Sequence, residues 1–177
     1  GDKLIIETRN GICINPSHRI EVIVTTNALN ALTLNGSGSI YCYELNTEDI
    51  SIDLNGSGEI EFDELTADHA EVELAGSGEI TCTVFAESVS SRIEGSGEIK
   101  LQGNCVTGEY EIIGSGKIKA GELSTTVCTV HISGSGVVDT RVSTSLDVSI
   151  IGSGIVYYSG DPVIERYISG SGKIIER

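Results

Sequence analysis

The chain has 177 residues with a net charge of −15, and it holds 22 glycines, 2 prolines and 39% hydrophobic residues. That is enough chain for one domain with a buried core, and much glycine beside little proline excludes a disordered proline-rich polymer. So acidic a chain lacks the clustered Lys and Arg that phosphate contacts need, which argues against nucleic acid and anionic lipid as partners, and no run of eighteen apolar residues offers a helical membrane span.

In residues 1–30, Leu4-Ile5-Ile6 and Ile20-Glu21-Val22-Ile23-Val24 read as strands. Asn10-Gly11 and Asn15-Pro16 read as turns. We expect this stretch to be an N-terminal cap or irregular first layer, because a bare end of a repeat stack exposes a strand edge.

From residue 31 onward a repeat takes over. Gly-Ser-Gly begins at residues 36, 56, 76, 95, 114, 134, 152 and 170, at intervals of 18–20 residues. A fixed period of this size marks stacked supersecondary units. Aligned on the tripeptide, four columns emerge. Two residues after it stand Ile40, Ile60, Ile80, Ile99, Ile118, Val138, Val156 and Ile174, all β-branched. Two residues before it stand Leu34, Leu54, Leu74, Ile93, Ile112, Ile132, Ile150 and Ile168. Four before come Leu32, Ile52, Val72, Ser91, Tyr110, Val130, Val148 and Arg166, where Ser91 and Arg166 interrupt an apolar series. Six before come Asn30, Ile50, Ala70, Val89, Gly108, Cys128, Leu146 and Ile164.

The step of two is the strand period, and β-branched residues dominate, so a helical reading fails. A hairpin meander reverses every other strand and would not stack equivalent residues. Identical columns therefore indicate coils stacked in parallel about 4.8 Å apart, a rod roughly 35–40 Å long. Each coil carries two strands around the corner and a looser return with apolar positions such as Leu45, Leu65, Phe85 and Leu123. The reading is one all-β domain over residues 1–177, a parallel β-helix (solenoid) of about eight coils, with the cap at 1–30 and the coils at 31–177.

The corner glycines are structural in this reading: Gly36 and Gly38, Gly56 and Gly58, Gly76 and Gly78, Gly95 and Gly97, Gly114 and Gly116, Gly134 and Gly136, Gly152 and Gly154, Gly170 and Gly172. A corner repeated in register leaves no room for a Cβ, or forbids one through a positive φ. A valine at mid-stack Gly76 is expected to cost several kcal/mol, and at Gly170 less. The intervening serine hydroxyls are expected to bond to neighbouring backbone.

Motifs that carry chemistry are missing. Gly-Ser-Gly has neither the flanks of a nucleophile elbow nor a following Gly-Lys-Ser/Thr, and it recurs in every coil, so it is architecture. We expect no catalytic residue, no cofactor and no metal. His18, His69 and His131 fall in different coils, which disfavours zinc. Cys42 and Cys82 share a column with Phe62 between them, too far apart for a disulfide, and the five cysteines read mainly as buried fillers. The outward column Glu59, Glu79, Glu98 is a candidate for a cation or an acid/base pair, but a solvated edge is the simpler reading. Glu59, Glu79 and Lys100 are the nearest thing to a set for a polysaccharide-active enzyme, and only a cleft lined by them favours that alternative.

One surface departs from the polar rule. Ile113, Val137, Ile151 and Ile155 occupy outward columns beside the corner, with Tyr157, Tyr167 and Ile175 nearby, where earlier coils carry Asn35, Asn55, Glu59 and Glu79. We take it as a candidate interaction surface, for an oligomer contact or covering segment ahead of a ligand.

The Gly-Ser-Gly-x-Ile repeats resemble the putative auto-transporter adhesin head domain family, the head GIN domain. The ending Ile151-Gly-Ser-Gly-Ile-Val-Tyr-Tyr-Ser-Gly-Asp-Pro162, then Ile168-Ser-Gly-Ser-Gly-Lys-Ile174, is similar to that family's C-terminal signature. So is Asp2-Lys-Leu-Ile-Ile6 followed by Val22-Ile-Val24. The resemblance covers essentially the whole chain. It implies a single-stranded right-handed β-helix of pectin-lyase type, export to the cell envelope or surface of a Gram-negative bacterium, and a role in adhesion. It brings no catalytic residues. The expected function is non-enzymatic binding of a protein or glycan at the cell surface, the third alternative being a structural module that binds itself or another envelope protein.

Overall fold

The computed structural model describes residues 3–7, 18, 20–26 and 28–177. Its strands are β1 (Ala31–Gly36), β2 (Ser39–Asn46), β3 (Asp49–Gly56), β4 (Glu59–Gly76), β5 (Glu79–Gly95), β6 (Glu98–Gly114), β7 (Lys117–Gly134), β8 (Val137–Gly152), β9 (Ile155–Ser159), β10 (Val163–Gly170) and β11 (Lys173–Glu176). They form one parallel sheet in the order β1-β3-β4-β5-β6-β7-β8-β9-β11, with β2 paired to β4 and β10 to β8. Each long strand is a whole coil, from just after one corner to the next. The result is a β-solenoid of about eight turns without a helix among the described residues.

Register follows the sequence columns. Gly36 pairs with Gly56, Gly56 with Gly76, Gly76 with Gly95, and so on to Gly170 on Gly152. The first glycine of every tripeptide has a φ between +115° and +136°, which an L side chain rarely adopts. The serine N–H donates to the carbonyl of the first glycine one coil earlier, as Ser77 does to Gly56 at 2.9 Å. The residue after the second glycine donates likewise, as Glu79 does to Gly58 at 3.0 Å. Backbone therefore knits the corner together. The serine hydroxyls contribute less than expected: among them the clear pair is Ser153 with Ser171, at 3.0 Å.

A Cβ built on Gly76 lies 2.2 Å from the Gly56 carbonyl oxygen, and one on Gly170 lies 2.3 Å from that of Gly152. The steric conflict is thus as severe in the last coil as in mid-stack, because each Cβ points at the preceding coil. A difference between the two positions has to come from how much structure lies beyond the lesion.

The four inward columns form the core. Ile60, Ile80, Ile99, Ile118, Val138 and Val156 are each fully buried, as are Leu54, Ile93, Ile112 and Ile150. Burying one such side chain stabilises by roughly 1.5–3 kcal/mol. At the ends the same columns open: Leu32, Leu34 and Ile40 are half-buried, and Arg166 is exposed, so its break in an apolar column carries no burial penalty. Ser91 is buried with its hydroxyl unpaired. Its neighbour in the next coil, Tyr110, fits because position 108 is glycine: a Cβ there would lie 2.9 Å from the Tyr110 hydroxyl.

Two expectations need correcting. Phe85 does not face inward. A bulge between Phe62 and Leu65 sets Leu65 against Val84, which is buried, and leaves Phe85 37% exposed. Residues 4–6 and 20–24 are not strands: they pair with nothing described, and their apolar side chains are exposed, from 51% at Val24 to 85% at Ile23. A strand needs a hydrogen-bonding edge and a face to bury, and these apolar side chains are left exposed. The turns read at Asn10-Gly11 and Asn15-Pro16 lie outside the described residues.

Candidate functional site

The corner divides the outer surface into two walls. On the wall after it, one column runs Ser39, Glu59, Glu79, Glu98, Lys117, Val137, Ile155, Lys173. Two positions along runs Tyr41, Glu61, Thr81, Lys100, Lys119, Asp139, Tyr157, Ile175. Charge of one sign thus gives way to the other along the stack. Lys100 Nζ lies 2.6 Å from Glu79 and 3.4 Å from Glu98, and Lys119 Nζ lies 2.7 Å from Glu98. Partial burial pushes the Glu98 carboxyl up, but hydrogen bonds from Lys119 and Lys100 outweigh it and hold the group below the usual carboxylate range. Of the carboxylates considered for a cation or for acid/base work, Glu79 and Glu98 are therefore engaged by lysines on a mixed-charge face. Neither of the two grooves described below brings Glu59, Glu79 and Lys100 together.

Beyond this ladder lies an open groove of about 310 Å³, lined by Lys100, Lys117, Lys119, Val137, Tyr157 and Arg177 among others. Arg177 stacks over the Tyr157 ring at 3.9 Å and pairs with Asp139. Gly121 leaves room for that carboxylate, since a Cβ there would come within 3.2 Å of it. Lys117 makes no ion pair among the described residues. Four of the 11 basic residues of a strongly acidic chain thus line one groove beside a tyrosine.

Val137 and Ile155 are direct neighbours, and Tyr157 follows two residues on. All three are half-buried. Ile113, Ile151 and Tyr167 stand on the other wall and are 40%, 57% and 63% exposed. Ile113 is separated from Ile151 by Ser133. Tyr167 lies one coil beyond Ile151, displaced by two positions. The sequence columns thus resolve into two apolar strips flanking one corner. Arg177 had no sequence signal, because its ring contact depends on side-chain reach beyond the Tyr157–Ile175 column.

A second groove, of about 330 Å³, crosses the earlier coils and is lined by Asn30, Asp49, His69, Glu71, Ser88 and Glu109 among others. His69 Nδ1 lies 2.7 Å from Ser88 Oγ. Its lining carries the carboxylates Asp49, Glu71 and Glu109 and no lysine or arginine. Among the described residues no three His, Cys, Asp or Glu side chains converge as a metal ion requires.

Of the described cysteines, Cys82, Cys105 and Cys128 are buried in the core and Cys42 is half-buried. Burial pushes the Cys82 and Cys128 thiols up to about 12, and raises Cys105 and Cys42 as well. The thiolate is the reactive form, so at pH 8 the native protein should keep Cys82 and Cys128 protonated and inert. Iodoacetamide labelling of a Cys13→Ser variant, read by peptide mass spectrometry, is expected to mark Cys42 first. Cys82 and Cys128 should label only after denaturation. Equal labelling of all four in the native state contradicts this.

Among the described residues no helix is long and apolar enough to cross a membrane. No curated protein matches the sequence. Solved structures do match. A putative adhesin from Parabacteroides distasonis ATCC 8503 superposes with a TM-score of 0.82 at 24% identity, over 84% of this chain and 64% of that one. One from Parabacteroides merdae ATCC 43184 gives 0.83 at 21%, with the same coverage. One from Bacteroides fragilis NCTC 9343 gives 0.76 at 18%, over 84% of this chain and 92% of that one. These establish the shared solenoid fold, and the chain spans about 64% of the length of the first two. The sequence model described as "Putative auto-transporter adhesin, head GIN domain" matches residues 1–162. With the period, the corner and the fold agreeing, the chain belongs to this head GIN domain family.

Proposed function

We propose that this protein is a non-enzymatic, exported surface protein that adheres to a protein or glycan partner through the outer face of its C-terminal coils. The observation that carries the reading is the pair of apolar strips on either side of the corner. Ile113, Ile151 and Tyr167 form one, and Val137, Ile155 and Tyr157 the other, beside the lysine-lined groove. Exposed aromatic and aliphatic side chains rimmed by charge are the usual make-up of a contact surface. The earlier coils place Asn35, Asn55, Glu59 and Glu79 at the corner-flanking positions. Membership in an adhesin family supports the same direction. The absence of a nucleophile motif, together with the lysine-engaged carboxylates, weighs against the enzyme reading.

The test is a screen of the purified chain on arrays of glycans and matrix proteins, with and without calcium. Selective, saturable binding is expected. Tyr157→Ala combined with Ile151→Ser should weaken it at least tenfold. Tyr41→Ala should not, although Tyr41 shares the Tyr157 column at the opposite end and is 58% exposed. Equal loss in both variants, or no binding to any surface ligand, overturns the assignment.

A further inference from the structure

Charge on the wall after the corner is segregated along the stack. No lysine or arginine stands between Arg19 and Arg92, so the earlier coils are acidic there, and Lys100, Lys117 and Lys119 follow in the later ones. Two outward columns carry the change. In one, Glu59 leads through Glu79 and Glu98 to Lys117, and in the other Glu61 leads through Thr81 and Lys100 to Lys119. Lys100 and Lys119 bind Glu79 and Glu98 within the chain. Glu59, Glu61 and Lys117 are exposed and make no ion pair among the described residues.

Such a wall is complementary to itself under a two-fold rotation. Two copies are laid wall to wall with their long axes antiparallel. The rotation axis passes between the two columns, and between the coil of Glu79 and that of Glu98. The rotation exchanges the columns and reverses the order of the coils. Glu59 then faces Lys119 of the second copy, Glu61 faces Lys117, and Glu79 faces Lys100. Symmetry makes each of these pairs twice. At the margin Tyr41, 58% exposed, faces the half-buried Val137 of the second copy. With the long axes parallel, glutamates would face glutamates and lysines would face lysines.

We infer that this wall is a self-association surface whose occupant is a second copy of the chain, docked antiparallel about that axis. A contact of this kind uses the same patch on both partners and closes as a dimer. A single exposed ion pair contributes little, but several in register form a network and set the orientation of docking. The paired coils, spaced by about 4.8 Å, and their columns bury roughly 500 Å² per copy, the size of a weak, reversible association. The proposed adhesive surface is independent of this one. Ile155 and Tyr157 lie beyond the paired coils, and Ile113, Ile151 and Tyr167 stand on the other wall.

Charge reversal read by sedimentation velocity tests it, at about 150 mM salt, where repulsion between two acidic chains is screened beyond about 8 Å. The unaltered chain is expected to dimerise reversibly between about 10 μM and 1 mM. Lys117→Glu with Lys119→Glu should weaken the dimer at least tenfold, and so should Glu59→Lys with Glu61→Lys. An equimolar mixture of those two variants should dimerise again, because every reversed charge then meets its opposite. A chain carrying all four reversals keeps its net charge and should dimerise as the unaltered chain does. Melting temperatures of the variants, expected to stay close to that of the unaltered chain, verify that the fold is kept. An unaltered chain that stays monomeric throughout that range overturns the inference. So do reversals that leave the dimer intact, or a loss that neither the mixture nor the fourfold variant recovers.

Discussion

Replacing Gly76 by valine is expected to lower the stability of the solenoid by on the order of 4 kcal/mol. Two effects combine. The residue holds a φ of +132°, and a β-branched side chain there is strained by about 1–3 kcal/mol. Its Cβ would also enter the Gly56 carbonyl oxygen at 2.2 Å, with the carbonyl carbon at 3.0 Å. That contact is backbone on both sides and sits inside a hydrogen-bonded ladder, so relief requires the coils to separate, at a further cost of about 1–3 kcal/mol or more. For a chain of this size the melting temperature should fall by roughly 8–16 °C. Gly36→Val is the control: it has a positive φ of +115° but no atom of the described residues within 4 Å of the added Cβ, so it should lose only the backbone part. Gly170→Val meets the same clash as Gly76→Val, yet only β10 and β11 need detach. Its loss should appear as hydrogen exchange in those strands with a smaller shift of the main transition. Equal melting temperatures for the Gly36 and Gly76 variants refute the steric account.

The second large effect is at Phe62. This side chain is 1% exposed, stacked between Cys42 and Cys82, and it is among the largest buried groups in the core. Truncation to alanine leaves a cavity that neighbouring coils, held at a fixed backbone spacing, cannot collapse into. Phe62→Ala should therefore cost about 3–5 kcal/mol in urea unfolding, with little change in slope. Phe85→Ala removes an identical group from a position 37% exposed and should cost under about 1 kcal/mol. Similar losses at the two positions contradict the assigned register.

That pair also marks the limit of what the residues alone revealed. Near the corner, spacing was enough, because Gly-Ser-Gly pins the phase and the step of two does the rest. Every inward column next to it has the burial that the pattern required. On the return, the chain changes length between coils, and a single bulge moved the inward position from Phe85 to Val84. Gly103 was overlooked for a related reason. It is a second tight position, with a φ of +109° and a would-be Cβ 2.2 Å from the Val84 carbonyl oxygen, but without a repeating tripeptide it resembles any other glycine. The candidate surface was half legible. Its apolar members followed from the columns, and the Lys100–Glu79 pair is one coil apart in sequence. The Arg177 cap on Tyr157 and the groove itself depend on side-chain reach, which periodicity does not encode.

The hydrogen bonds from each corner to the coil before it run along the axis of the stack, and so do the ladders of the long strands. A tether pulling on one end of the molecule therefore loads one layer's bonds at a time. Each layer that peels away releases 18–20 residues of slack, about 60–70 Å of chain, while the remaining layers keep their shape. A bond between two surfaces made through such a rod yields in steps, dissipating work at each, and does not part in a single rupture.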